Sequence, residues 1–384
     1  MYLKTKVTMK TVKLITFTLC SLMFMSCGTG KKEQTNNQLF KRTAETEKLL
    51  SNLTQLPQQG FLFGHHDDTN YGINADGTGW EFEEGRSDVH SVCGDYPGII
   101  SFDLGELELG GELTLDKVPF GKIRQEIINQ YQRGGMSSIS WHLRNPKTGG
   151  DAWDVSDTTV VKSILPEGEL HEKFAGWLDT MADFLNSLQT PEGVKVPVLF
   201  RPWHEHTGSW FWWGKKLCSV DEYKALWRMT VEHLEAKGVD NCLYAYSPGT
   251  EPQTEEEYLE RYPGNDIIDL IGFDTYQGPH NRDSYLNGIQ RMLNIIEKIG
   301  KEHNKIIAVT ETGFEGVPDP QWWTGTLLPA LNNHPIAYAL VWRNARERTT
   351  HHYAPYPGHP SAEDFVQFYN ESKTLFAKDI NLYK

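Results

Sequence analysis

The chain is poor in several things, and each shortage removes a class of function. Only five of its 384 residues are cysteine, and three of these, Cys93, Cys218 and Cys242, lie beyond residue 45. They allow at most one disulfide there, and no C-x-x-C pair offers a zinc site. Basic residues are scarce: 37 Lys and Arg stand against 51 Asp and Glu, a formal charge of −14. An acidic surface repels phosphates, so nucleic acid is not an expected partner. The longest apolar run, Leu14 to Met25, is too short to span a bilayer as a stable helix. No short repeat, low-complexity tract or Pro/Gly linker interrupts residues 46–384. Aromatics, by contrast, are abundant at 12%, with 12 Trp. Burial accounts for part of that, and exposed aromatics need another reason, such as a flat ligand to stack on.

The first residues read as an address. Lys10 and Lys13 precede the apolar run, and "SCG" follows it. This resembles a bacterial lipoprotein signal over residues 1–26, with Cys27 acylated after cleavage. Cleavage nearby by ordinary signal peptidase is the alternative, and both readings export the protein. Removing residues 1–26 takes away Lys4, Lys6, Lys10 and Lys13 and no acid, so the charge of −14 becomes −18. Residues 27–45 are polar and read as a tether. Residues 46–384 read as one domain.

Eight short β-rich runs follow, at 61–65, 98–102, 137–141, 197–200, 243–246, 270–273, 306–309 and 337–341. Helical stripes lie between several of them. Phe174, Trp177, Leu178, Met181, Phe184, Leu185 and Leu188 make one; Ile289, Met292, Leu293, Ile296 and Ile299 another. A third, Ile123, Ile127, Ile128 and Tyr131, is closed by Gly134. Eight strands alternating with helices predict an α/β fold of the (β/α)8 TIM-barrel type. An open doubly wound sheet is the alternative, but it carries a Gly-rich loop after its first strand, and this strand ends in "GHHDD".

In a barrel, chemistry sits at the C-terminal strand ends. Those ends carry His65, His66, Asp67 and Asp68; Asp103; His142, Arg144 and Asn145; Arg201, Trp203, His204 and Glu205; Ser247; Asp274 and Tyr276; Glu311; and Trp342, Arg343 and Asn344. Glu205 ends strand four and Glu311 ends strand seven. Across the mouth they could approach to roughly 5–5.5 Å, where one carboxylate attacks and the other exchanges a proton. The indoles around Glu205 favour its protonated form. Tyr276, with Arg201 or Arg343, favours an ionised Glu311. Trp210 and Trp342 suit the walls of a sugar site; Trp203 is as suited to core; and of Trp212 and Trp213 at least one should pack inward.

Six stretches, "FGHHDD", "SWHLRNP", "RPWHEHTGSWFWWG", "GFDTYQG", "VTETG" and "VWRNA", together resemble glycoside hydrolase family 26 over most of residues 50–370. Most members of that family are β-mannanases, within the large clan of retaining barrel glycosidases. The resemblance implies that Glu205 is the acid/base and Glu311 the nucleophile. It implies that His142, Trp210 and Trp342 line the sugar site, with His204, Asp274, Tyr276 and Arg343 as further contacts and Arg201 beside them. It implies a β-1,4-mannan substrate and no cofactor or metal, in a protein expected to be a monomer held to a membrane only by its lipid. Release of mannobiose, mixed-linkage glucan or β-1,3-xylan as substrate are alternatives within the family. Two rivals stand outside it. A metal-dependent amidohydrolase barrel would use the fourteen histidines, among them His351 and His352 after strand eight, but strands five and six end without His. A non-catalytic glycan-binding lipoprotein would keep the aromatics and need no facing carboxylates.

Overall fold

In the computed structural model, which describes residues 41–384, the eight runs form eight parallel strands. In order they are Phe61–His66, Ile99–Asp103, Met136–Ser140, Val198–Arg201, Cys242–Tyr246, Leu270–Gln277, Ile306–Phe314 and Tyr338–Val341. Each pairs with the next, and the eighth pairs with the first through Leu62↔Tyr338 to His65↔Val341, so the sheet closes. This is the expected (β/α)8 barrel. Residues 1–26, Cys27 and most of the proposed tether lie outside the described residues. Packed structure reaches back to Arg42, four residues before the expected boundary at 46. Arg42 pairs with Asp269, and Thr43 caps the helix Ala44–Gln55 by accepting from the Thr46 N–H.

Side chains alternate along a strand, so each barrel strand has an inward and an outward set. Leu62, Ile99, Met136, Leu199, Leu243, Ala245, Leu270, Ala308, Tyr338 and Leu340 fill the barrel, and Leu49, Leu53 and Leu56 join that cluster. The alternate residues, among them Phe63, Ile100, Phe102, Ile139, Phe200, Tyr246 and Phe273, face the surrounding helices. The three helical stripes supply the opposing surface, on helices Phe120–Gln132, His171–Asn186 and Arg282–His303. Each fully buried Leu, Ile or Phe in these layers contributes about 1.5–3 kcal/mol. Gly134 follows the first of these helices at φ +87°, where its N–H bonds the Tyr131 carbonyl.

The same alternation decides what stands at the rim. Continuing the inward set upward gives Ser101, Asp103, Ser140, Arg201, Asp274, Thr310 and Trp342. Strands six and seven run past the expected ends at 273 and 309 because they keep pairing above the barrel, as far as Gln277↔Phe314. Their register shifts between Phe273↔Val309 and Asp274↔Glu311. That bulge gives strand seven one extra residue, so the neighbours Thr310 and Glu311 both turn toward the same ionic cluster.

Candidate active site

The site is built from the charged residue at its base. Arg201 is buried at the end of strand four. Its Nη1 donates to Asp274 Oδ2 at 2.9 Å and to Ser247 Oγ at 3.0 Å, and its Nη2 donates to Glu311 Oε1. Thr310 Oγ1 donates to the other Asp274 oxygen at 2.6 Å. Each Asp274 oxygen therefore accepts one hydrogen bond, and Asp274 is tied to Glu311 through the shared Arg201 guanidinium. Burial opposes the Arg201 charge, but Asp274 and Glu311 outweigh it and hold the guanidinium cationic.

Tyr276 Oη donates to Glu311 Oε2 at 2.6 Å, so both oxygens of Glu311 accept, as a carboxylate's do. Tyr276 stands there because it pairs across the extended strands with Gly313, and Tyr353 packs edge-on against its ring. Gly313 makes room: at φ +149°, a Cβ on it would lie 2.4 Å from the Tyr353 ring. Arg343, the other expected partner of Glu311, is held elsewhere. It bridges Asp116 at 3.4 Å and Glu347 at 2.8 Å and lies over Tyr71.

Glu205 follows strand four in a turn where both Trp203 and Glu205 have positive φ, +56° and +52°. Such angles cost a non-glycine residue of order 1 kcal/mol or more and need support. The support is tight: Trp203 is fully buried, its carbonyl accepts from Tyr223 Oη, and the Glu205 N–H bonds the Ser247 carbonyl. Trp212 and Trp213 are also fully buried and pack edge-on against Trp203. Trp210 is different. It is exposed, and its Nε1–H donates to Glu205 Oε2 at 2.7 Å. Its indole lies across Gly208, where any Cβ would sit 2.1 Å from the ring.

Glu205, Glu311 and Asp274 each bring one oxygen within 4.8 Å of the others. That spacing would also suit a cation, but the Arg201 guanidinium already lies against two of the three. Burial, and then the charge of Glu311, push Glu205 up to about 7; Trp210, Arg201 and His142 pull the other way. Glu205 is thus able to carry a proton near neutrality, beside a carboxylate gripped by two donors.

Histidines and aromatics line the rest. His142 Nδ1 lies 2.6 Å from Asp103 Oδ2, and His142 Nε2 lies 3.1 Å from His204 Nε2. Burial works against a charge on His142, but Asp103, then Glu311 and Glu205, outweigh it and raise its pKa. Burial, with Arg201 and His142 behind it, holds His204 well below the usual value. Trp342 is half-buried and stacks on His66 at 4.0 Å. The first strand end is a hydrogen-bonded cluster, with His65 on Asp68 and His66 on Ser101, each at 2.7 Å. His352, after strand eight, is buried against His359, whereas His351 is half-buried and bonds Glu315. Among the described residues, Cys93, Cys218 and Cys242 form no disulfide.

Sequence reasoning missed Trp153. It is 47% exposed on the loop after strand three, and its ring stacks on His142 at 5.2 Å, tilted by 9°. A lone Trp between the glycines and aspartates of "GGDAWDVSD" was the available signal. Gly208 and the Asp103–His142 pairing were missed as well, since both depend on contacts between segments or across a turn.

A closed parallel barrel with two glutamates this close over its mouth, walled by indoles, is the arrangement of a glycoside hydrolase. The profile of glycosyl hydrolase family 26 matches residues 40–321, and the chain belongs to that family. A mannan endo-1,4-β-mannosidase of Bifidobacterium adolescentis is 30% identical over 380 residues, covering 92% of this chain and 37% of its own length. The chain thus spans little more than a third of that relative. A mannan endo-1,4-β-mannosidase of Bacillus subtilis is 27% identical over 287 residues, 71% of this chain and 72% of its own. Among solved structures, a family 26 β-mannanase of Bacteroides ovatus is 61% identical with a TM-score of 0.87, covering 89% of this chain and 98% of that one. A modular endo-β-1,4-mannanase of Cellulomonas fimi is 34% identical with a TM-score of 0.80, covering 89% and 78%.

Proposed function

We propose that this chain is a retaining β-1,4-mannanase, in which Glu311 attacks and Glu205 moves the proton. The observation that carries the mechanism is the pair of glutamates with oxygens within 4.8 Å. Retaining glycosidases hold their carboxyl groups about 5–5.5 Å apart, whereas inverting ones leave about 6.5–9.5 Å for a water. The choice of mannan is supported by the family and by the activities named for the relatives above.

The two carboxyls differ in the way the reaction needs. Glu311, gripped by Arg201 and Tyr276, forms a bond to the anomeric carbon as the glycosidic C–O bond breaks. Glu205 passes its proton to the leaving oxygen. Glu205, now a carboxylate, takes a proton from water. The resulting hydroxide oxygen bonds the anomeric carbon and releases Glu311. Arg201 is anchored by Asp274 and Ser247, so the charge that meets Glu311 is fixed before substrate arrives. Trp210 fixes the Glu205 oxygen it bonds, which leaves the other to carry the proton. Trp153, Trp210 and Trp342 offer flat faces to the sugar's C–H surface.

The test is a time course of products from linear mannan beside xylan and mixed-linkage glucan. Mannan-derived oligosaccharides alone support the reading; faster cleavage of either other polymer overturns the substrate assignment. Export with anchoring through a lipid on Cys27 completes the proposal, and the sequence from Lys10 to Cys27 supports it. Cys27→Ala should then move the enzyme from the membrane fraction to the soluble one, and unchanged fractionation would contradict the anchor.

A further inference from the structure

Asp103 ends strand two, and its carboxylate accepts from donors on three residues, Gly105, Ser140 and His142. His142 Nδ1 and Ser140 Oγ meet Oδ2 at 2.6 and 2.7 Å, and the Gly105 N–H meets Oδ1 at 2.7 Å. The His142 backbone N–H points between the two oxygens, at 3.4 and 3.3 Å. Two of these donors are backbone groups that cannot turn away. An acceptor-only side chain is required here, and it makes His142 Nδ1 the donor. His142 Nε2 then faces His204 Nε2 at 3.1 Å, where one nitrogen must carry the hydrogen and the other the lone pair. His204 Nδ1 is buried and has no hydrogen-bond partner among the described residues.

We propose that Asp103 is a positioning residue that fixes the tautomer of His142 and, through the paired nitrogens, sets the tautomer of His204 beside the acid/base Glu205. Two states follow from the geometry. When His142 is neutral, its Nε2 accepts from His204 Nε2–H, and His204 Nδ1 holds a lone pair. When His142 carries a second proton, its Nε2–H donates to His204, whose hydrogen then sits on Nδ1. One proton on the pair therefore reverses the hydrogen bond that His204 Nδ1 can make. The charges around His142 are Asp103 beneath it, Glu205 and Glu311 across the site, and Asp116 from the loop after strand two; His66 adds a buried imidazole and Arg201 faces His204. The inference rests on the proposed function only for its catalytic consequence.

The sharp perturbation is Asp103→Asn, which keeps the shape. Its carbonyl oxygen must face the backbone N–H of Gly105, so its NH2 faces His142 Nδ1 and forces the hydrogen onto Nε2. In the substrate-free wild type labelled with 15N-histidine, His142 should show a far-downfield Nδ1–H resonance, assigned by its loss in His142→Gln. In Asp103→Asn that resonance should vanish and the ring should read as Nε2-protonated. kcat/KM on soluble mannan should fall about 10–100-fold, the scale known for losing the carboxylate that orients a metal-ligating histidine. The kcat/KM–pH profile should also lose the step contributed by the pair. Ser140→Ala, which removes one donor but leaves the charge, should keep the wild-type resonance and pH profile. A wild-type His142 that reads as neutral and Nε2-protonated overturns the proposal, and that readout stands even if Asp103→Asn does not fold. An inverted tautomer with unchanged kcat/KM and pH profile overturns it equally. Should the wild type show the expected resonance but cleave no mannan, the proposed function falls and the tautomer assignment stands.

Discussion

The site should destabilise the fold that carries it, by an amount that depends on pH. The perturbation is Glu205→Gln, which keeps the shape of the side chain and removes its ionisation. Burial and the neighbouring Glu311 charge move Glu205 from 4.5 to about 7 on folding. Each pKa unit is about 1.4 kcal/mol, so the full shift is worth about 3 kcal/mol. Glu205 is only half-buried, and solvent screening reduces this to about 2 kcal/mol. The sign follows from linkage. The folded-state pKa is raised, so the relative stability is fully present below 4.5, where both states hold the proton. It is lost as pH rises through 7, where the folded state must ionise an acid it would keep protonated. The variant never makes that sacrifice. The assay is thermal unfolding of both proteins at pH 4 and pH 8. Their Tm values should agree at pH 4, and the variant should gain about 3 °C at pH 8, from the entropy of unfolding a domain this size. An equal difference at the two pH values, or a less stable variant at pH 8, would refute the assignment of Glu205 as a proton-holding acid.

Other perturbations probe the neighbours of Glu205. Trp210→Phe removes the N–H that favours the Glu205 carboxylate, so the alkaline limb of the kcat/KM–pH profile should move to higher pH; a downward shift would contradict the contact. Gly208→Ala drives a methyl into the Trp210 ring and should lower kcat/KM about 10–100-fold, the scale of a displaced catalytic contact. The same change in a Trp210→Ala background should cost little more, and independent effects would deny the link. Glu311→Gln should cut turnover by about 10³-fold or more while calorimetry shows oligosaccharide binding retained. It should also lower the pKa of Glu205, because it removes a repelling charge.

What could be read from the chain was what repeats with a period. The barrel came from eight alternating runs, and the same alternation explains why Arg201, Asp274 and Trp342 stand at the inner rim. The facing glutamates followed from counting strands. What stayed hidden depended on distance in sequence. Nothing in "VTETG" announces the bulge that turns Thr310 and Glu311 to one side. Nothing local shows that Arg201 serves Glu311 while Arg343 is tied to Asp116. Trp203, Trp212 and Trp213 adjoin Trp210 in the chain, yet they are core and Trp210 is exposed, a difference no local spacing announces. Loop residues such as Trp153 carry no periodic signal at all.

The central claim is that Glu205 and Glu311 sit too close for water to attack between them, so that the protein itself must attack. Proton NMR of the first product released from a mannan oligosaccharide reads this directly, before mutarotation scrambles the anomeric centre. Double displacement predicts that the β configuration of the cleaved linkage appears first and the α form grows in later. An α anomer as the first-formed product would contradict the account.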